Sequence, residues 1–260
     1  MIRVTAVARV FNPLEDGVPL PSLEAELRQV CREYFRRVDR FIELALLGSG
    51  RCTAGKTLRP DCGLYLGSGL GPMTGVIATQ QQLIRDREAP KPFNFINTLG
   101  NSAGYYVAKN LGLHGQNLFI SRRGESLQAL LSVAMIDLQA GVLSQALVGV
   151  VEEATLPLTE HRRRQGLAED RPVAEGSHWL LLERDAESGH SLESCRLGTA
   201  AGLDAAVAQT AERMPAELSG PFHDSLSGAW LTARLGAGAK DLVLVDGDET
   251  RGWELFYFRA

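Results

Sequence analysis

Ser121, Arg122, Arg123, Gly124 and Glu125 stand between a short apolar run, Leu118, Phe119 and Ile120, and a helical pattern over residues 126–140. A strand, a tight turn and a helix in that order is where many enzymes expose a nucleophile. The helix N-terminus lowers the pKa of a group on the bend, and its free amides cradle an oxyanion. Here the bend carries glycine, so the corner is built with nothing on it that can attack. Ser126 is the nearest hydroxyl, but it belongs to the first turn of the helix rather than to the bend.

Other chemistry-bearing residues give weaker patterns. Gly67, Gly69 and Gly71 follow a strand, yet a dinucleotide site requires a strand-first βαβ unit and an acidic ribose ligand about 20 residues on. The long stretch before that strand points to tight helix–strand packing instead. Cys31, Cys52, Cys62 and Cys195 form no Cys-x-x-Cys pair. Cys52 and Cys62 could close a loop, but reduced thiols are the expectation. The histidines at 114, 161, 178, 190 and 223 lack ligand spacing, so neither a metal nor a cofactor is expected. His161 with Arg162, Arg163 and Arg164 is a basic run that could meet an acidic carrier protein, and is read first as a solvated loop.

These residues belong to a chain of 260 with 45% hydrophobic content, enough for a full core in one domain or one domain with an appendage. A net charge of −4 argues against general nucleic-acid binding. No apolar run reaches the ~18 residues of a membrane span, and the N-terminus lacks a signal pattern. The expected location is the cytosol.

The elements that would position the corner read as follows. Residues 2–10 form a first strand, and 14–21 a loop. Ser22 caps a helix with Leu23, Leu27, Val30 and Cys31 on one face. A second helix over 39–47 ends at Gly48 and Gly50. Residues 64–66 form a buried strand and 72–86 a helix. After a loop with Pro90 and Pro92 comes a helix over 97–112. Beyond the corner, 146–151 is a strand, 162–171 a polar mobile stretch and 177–183 a strand. Helices over 200–213 and 226–235, a parallel-type strand at 242–245 and an aromatic strand at 254–258 complete the chain. Alternating strands and helices predict an α/β fold with a mostly parallel sheet covered on both faces.

Six ordered blocks carry a resemblance. Residues 37–41 (RVDRF) are similar to an Arg-Met-Asp-Arg-Phe motif. Residues 66–71, 95–104, 111–118 with the corner, 146–153 and 174–184 follow in register. Together they resemble the N-terminal half of a ketosynthase, the thiolase-fold enzyme of fatty-acid and polyketide assembly. The family's reactive cysteine falls on Gly124, and the small residue before it on Arg123. A ketosynthase also needs a second half that supplies two activating histidines, and only an abbreviated tail follows Arg184. His223 matches neither histidine motif, while Asp246 or Gly247 falls weakly at one histidine's place. A ketosynthase-like chain without nucleophile resembles a chain-length factor, the non-catalytic partner in type II polyketide systems. Its short form resembles those of aryl polyene pathways. On this resemblance residues 1–190 are the ketosynthase-like half, and 191–260 an abbreviated remnant of the second half packed on the same domain.

The resemblance implies roles. Leu118, Phe119 and Ile120, with Ser121, Arg122 and Arg123, would pair across a dimer axis with an active ketosynthase. They could also pack in this chain's own core. Phe93, Phe95, Asn97, Thr98 and Tyr105 would face the partner's acyl tunnel and set its depth by volume, or be ordinary packing residues. Tyr105 and Tyr106 are adjacent on a helix and cannot both face it. Arg122, Arg123 and Glu125 must be paired or wet, because an unpaired buried charge costs roughly 3–5 kcal/mol. An acyl carrier protein would be met indirectly. Two further readings stay open: a dehydratase-like or decarboxylating acyl-carrier enzyme, and a homodimeric scaffold.

Overall fold

Every residue of the strand Gln145–Glu152 is buried, and its side chains split between two cores. Ala146, Val148 and Val150 join one, Leu147 and Val151 the other. A strand apolar on both faces must be covered on both, and the rest of the molecule does so. The computed structural model describes residues 1–197, 202–203, 212–214, 224–248 and 250–260, except the side chains of Arg123 and of 224–227. His223 and most of the helix expected over 200–213 lie outside the described residues.

In chain order the strands are β1 (Ile2–Leu14), β2 (Gly63–Gly67), β3 (Asn117–Ile120), β4 (Gln145–Glu152), β5 (Val173–Arg184), β6 (His190–Leu197), β7 (Glu212–Arg213), β8 (Asp241–Asp248) and β9 (Gly252–Arg259). They form one nine-stranded sheet in the order β3-β2-β4-β5-β1-β6-β9-β8-β7. The helices are α1 (Glu24–Val30), α2 (Arg40–Thr53), α3 (Met73–Gln80), α4 (Pro92–Asn97), α5 (Gly100–Leu111), α6 (Ser126–Gln139), α7 (Leu158–Gln165) and α8 (Asp224–Gly236).

The α/β class stands, and the sheet is mixed rather than mostly parallel. β2 runs parallel to β3 and β4, and β7 to β8, whereas the ladders of β1 with β5 and β6, β4 with β5, and β9 with β6 and β8 are antiparallel. β8 returns into β9 as a tight hairpin, which needs no crossover helix, whereas β5 and β6 flank β1 on either side and each pairs antiparallel with it. β8, expected as parallel-type, pairs antiparallel with β9 along its whole length.

The sheet folds back on itself. α6 and α8 lie between its two parts: Leu130, Leu131, Leu138, Leu231 and Leu235 share a core with Val148, Leu180 and Leu182 on one side and Leu242, Leu244, Phe256 and Phe258 on the other. α2 and α5 cover the opposite face of the first part with Phe41, Leu44, Leu47, Ala103 and Val107.

Several boundaries depart from expectation. α2 runs through Gly48 and Gly50 instead of ending there. A Cβ on Gly48 would collide with Ser177 and the Trp179 indole, and one on Gly149 with the same indole from the other side. Those glycines let helix and strand close on a buried Trp179, whose Nε1 donates to Ser177 Oγ at 2.7 Å. Pro92 opens α4 rather than sitting in a loop, since a proline at the first helical position loses no hydrogen bond. The stretch over 162–171 begins inside α7, and β6 appears where no strand is expected.

Candidate functional site

Among the described residues β3 is the terminal strand of the sheet, paired only with β2. Its side chains divide as strand geometry requires. Leu118 and Ile120 pack against the α6 core, and Phe119 against α2 and α5, its ring 6.4 Å from Phe41 at 74°. A Cβ on Gly100 would strike that ring. All three side chains therefore serve this chain's own core, while the outer backbone edge of the strand stays unpaired. Leu64 N donates to Gln116 O at 2.7 Å and Ser68 N to Ile120 O at 3.2 Å. The alternation of a parallel ladder then turns the polar groups of Asn117 and Phe119 outward.

The corner follows as a single 3-10 turn over Arg123–Glu125 that leads directly into α6. Gly124 is half-buried within it. Ser126 is fully buried: its Oγ donates to Ser68 O at 3.0 Å and accepts from Arg122 N at 2.8 Å. Its hydroxyl is a structural clasp between the corner and the β2 loop. Gly67 permits this closeness, since a Cβ there would meet Leu130 at 2.7 Å and Ser126 at 3.3 Å. Gly69 N donates to Glu152, and Gly71 N to Ser68 Oγ at 2.8 Å. These loop amides are spent on internal acceptors rather than held ready for a phosphate.

Ion pairs close the corner from outside. Arg122 donates to Glu125 at 2.6 Å and stands 3.5 Å from Asp246. Arg251, from the β8–β9 hairpin, clamps Glu125 at 3.0 and 3.2 Å and Asp248 at 2.7 Å. Hydrogen bonds from Arg251, with the charge of Arg122, hold the Glu125 carboxyl below its usual range. Burial, and then the charge of Glu125, pushes Asp246 up. The expected pairing of Arg122 and Glu125 is present; Arg123 contributes backbone to the turn, and its side chain lies outside the described residues. Arg251 is not among the expected residues, because nothing local in the sequence ties the β8–β9 hairpin to the corner.

Next to β3 an apolar face is bare. Elements α3, α4, α5 and β3 adjoin one another in that order. From α4, α5, the residues joining them and the π-helical turn Gln81–Arg85 that continues α3, Ile84 (77% exposed), Phe95 (56%), Tyr105 (58%), Phe93, Ile96 and Leu99 reach the surface, with Leu83 beside Ile84. Phe93, Phe95 and Tyr105 thus face outward. Asn97 departs from expectation: it is buried, and its Nδ2 donates to Arg37 O at 3.2 Å, tying α4 to the chain before α2. Thr98 turns its hydroxyl back onto Phe95 O at 2.7 Å. Tyr106 points inward to Phe35, their ring centroids 5.4 Å apart at 85°.

Two carboxyls lie beneath this face. Glu153 accepts from Thr74 N at 2.6 Å, and Asp39 caps α2 through Ile42 N at 3.1 Å. Each has a second oxygen that is buried without a partner. Burial, then the neighbouring charges of Asp39 and Glu175, pushes Glu153 up to about 8; burial, then Glu43, pushes Asp39 up to about 6.

The basic run lies in α7 rather than a loop, with Arg163 in solvent and its charges partly paired. Arg162 is buried against Asp16 at 2.9 Å, Arg163 and Arg164 both hold Glu160 at 2.7 Å, and His161 Nδ1 faces the Thr155 hydroxyl at 3.2 Å. The four cysteines are free thiols. Among the described residues, no helix is long and apolar enough to cross a membrane.

No protein-family model matches the chain, and no curated protein does. Solved structures match it over nearly its whole length. The ishigamide ketosynthase/chain length factor superposes with a TM-score of 0.73 at 16% identity, covering 99% of this chain and 99% of that one. The ketosynthase ApeO in complex with its chain length factor ApeC, from Xenorhabdus doucetiae, gives 0.57 at 17% identity, covering 98% and 99%. A type II polyketide synthase acyl-carrier protein in complex with its ketosynthase, AntDE:AntF, gives 0.64 at 12% identity, covering 100% and 99%. At such identities the shared property is the fold: the helix-covered mixed sheet of this chain is the thiolase-like fold of ketosynthases and chain length factors.

Proposed function

We propose that this chain is a non-catalytic, chain-length-factor-like subunit that pairs with an active ketosynthase in type II polyketide biosynthesis of the aryl polyene kind. The observation that carries this reading is the bare apolar face over α3, α4 and α5, continuous with the unpaired edge of β3. An open sheet edge beside exposed aromatic residues is an aggregation hazard unless another chain covers it. Glycine at the bend supports a subunit that does no covalent chemistry of its own, and Ser126 is engaged at both ends of its hydroxyl. The likeness to structures that pair a ketosynthase with a chain length factor supports the same assignment.

In this reading β3 adds to the partner's sheet edge by backbone hydrogen bonding. Phe93, Phe95 and Tyr105 meet the partner and help wall the tunnel that holds its growing acyl chain. Their volume sets how far that chain extends, since a packed wall tolerates overfilling poorly. A carrier protein would be met through the ketosynthase.

The test is co-expression with the candidate ketosynthase, followed by mass measurement of the purified complex. A one-to-one heterodimer is expected, with condensation lost when this chain is omitted. A chain that forms only a homodimer, or condenses or dehydrates acyl substrates alone, would overturn the assignment. Gly124→Cys should supply a thiol without condensing activity.

A further inference from the structure

α3 begins without a side-chain cap of its own, since Pro72 precedes it and makes no capping hydrogen bond. Its first turn rests instead on two carboxyls from elsewhere in the chain. Glu153, just past the end of β4, accepts from Thr74 N at 2.6 Å. Asp39 lies under Gly75: a Cβ on that glycine would stand 3.3 Å from Asp39 Oδ2 and 3.0 Å from Asn97 O. The glycine lets the turn settle onto the carboxyl and onto the end of α4. From this seat α3 continues into the π-helical turn Gln81–Arg85, which carries Leu83 and Ile84 of the apolar face.

The seat is short of donors. Asp39 Oδ1 is occupied by Ile42 N, yet Asp39 Oδ2 and Glu153 Oε2 are buried without a partner, and Glu153 as a whole is 3% exposed. The surrounding charges offer no counterion. Arg40, from α2, is held by Glu175 of β5 at 3.1 Å and stands 3.8 Å from Glu43. Arg37 lies over the Phe93 ring at 4.6 Å. Glu152, beside Glu153, takes Gly69 N, and His161, from α7, faces Thr155. α3 and α4 contain no titratable side chain. Among the described residues no lysine or arginine forms an ion pair with Asp39 or Glu153. The charges that act on Glu153 are those of Asp39 and Glu175, and both are negative.

A carboxylate in a dry site, with neither donor nor counterion for one of its oxygens, keeps its proton or draws in water. Water can reach Glu153 only if the turn above it moves. We propose that Glu153, backed by Asp39, is a proton-operated latch on α3: with its proton the helix and the π-helical turn stay seated, and without it they lift to let water reach the carboxylates. The latch is a property of the chain by itself and does not rest on the partner assignment. It makes the completeness of the apolar face depend on pH. The sign follows from burial, which holds the seated carboxyl at about 8 against an ordinary 4.5 in water. Opening therefore becomes about tenfold easier per pH unit between those values and levels off above 8.

Hydrogen exchange of the full chain, followed by mass spectrometry between pH 6 and 8 and corrected for the intrinsic pH dependence of exchange, is the test. Peptides over 73–85 should be less protected than those of α6 at every pH. Their protection should be unchanged by about 1 M urea, because a local opening exposes little surface. From pH 6 to 8 it should fall about 50-fold. Glu153→Gln keeps a neutral group at the seat and should make that profile flat. Asp39→Asn keeps the oxygen that caps α2 but removes the neighbouring charge, and should reduce the fall to about tenfold. It carries the test even where Glu153→Gln does not fold. Equal protection of 73–85 and α6, parallel profiles for wild type and Glu153→Gln, or an Asp39→Asn fall as steep as wild type's would each overturn the proposal.

Discussion

The two sides of β3 are finished in opposite ways. At its C-terminal end the corner is closed: Ser126 is hydrogen-bonded to Ser68 and Arg122, and Glu125 is held by two arginines. Along its edge, and across α4 and α5, Phe95, Leu99 and Tyr105 are left in solvent. Where a thiolase-fold enzyme would keep a reactive group accessible, this chain has a bend without a side chain, clasped by ion pairs. Where a self-sufficient domain would cover its sheet edge, this one leaves it open. The difference separates a corner closed by this chain's own contacts from a face that the proposed reading leaves for a partner.

The strongest way to break this comparison is to charge the face. Ile84→Asp with Phe95→Asp places two carboxylates in what would be a dry interface, and should weaken assembly with the ketosynthase by about 100-fold or more. The isolated chain should keep its melting temperature, because both residues are exposed. A complex that survives with unchanged mass and affinity would mean the face is not the interface.

The carboxyls beneath the face link its footing to pH. Glu153 rises from an ordinary 4.5 to about 8 in the folded chain. Between those values the unfolded chain releases a proton that the folded chain keeps. The stability contributed by the neutral acid is therefore complete below about pH 4.5 and declines as pH rises towards 8. Glu153→Gln keeps a neutral group there at every pH, so its stability should fall less than wild type's between pH 5 and 8. The gap should be about 3–4 kcal/mol by urea unfolding. Parallel pH profiles for the two proteins would show that Glu153 is ionised in the fold after all.

The corner predicts a smaller effect on folding. Ser126→Ala leaves Ser68 O and Arg122 N without their shared partner and should cost about 1–2 kcal/mol, read from the urea midpoint. Assembly with the ketosynthase should be unchanged at saturating protein. A variant with wild-type stability and lost assembly would reverse the division drawn between corner and face.

How much of this was legible beforehand follows the range of the forces involved. The 118–120 strand, the bend at Gly124 and the helix from Ser126 are set by local pattern, and the structure has all three where the sequence puts them. α2 runs past the end its glycines suggest because Gly48 answers to Trp179, far along the chain, rather than to a helix end. β6 was missed because only Leu192 among its residues is buried, so its alternation is nearly all polar. Strand direction depends on which ladders form, and that is tertiary. Asn97, at the end of α4, faces in because its amide reaches Arg37 O, whereas Tyr105 in α5 faces out. The role of Arg251 requires the β8–β9 hairpin to fold back over α6, which no local pattern encodes.

Arg251 makes the finest test of the clasp. It sits 45% exposed, so its bonds to Glu125 and Asp248 are screened by water and salt, and surface pairs of this kind contribute about 0.2–1 kcal/mol. Arg251→Gln should lower stability within that range in dilute buffer, and by less in 1 M salt, where screening reaches about 3 Å. Glu125→Gln should behave alike, and the double variant should lose less than the two single losses added, because each removes the other's partner. Additive losses would mean that the hairpin is held to the corner by packing, and that the ion pairs close it without stabilising it.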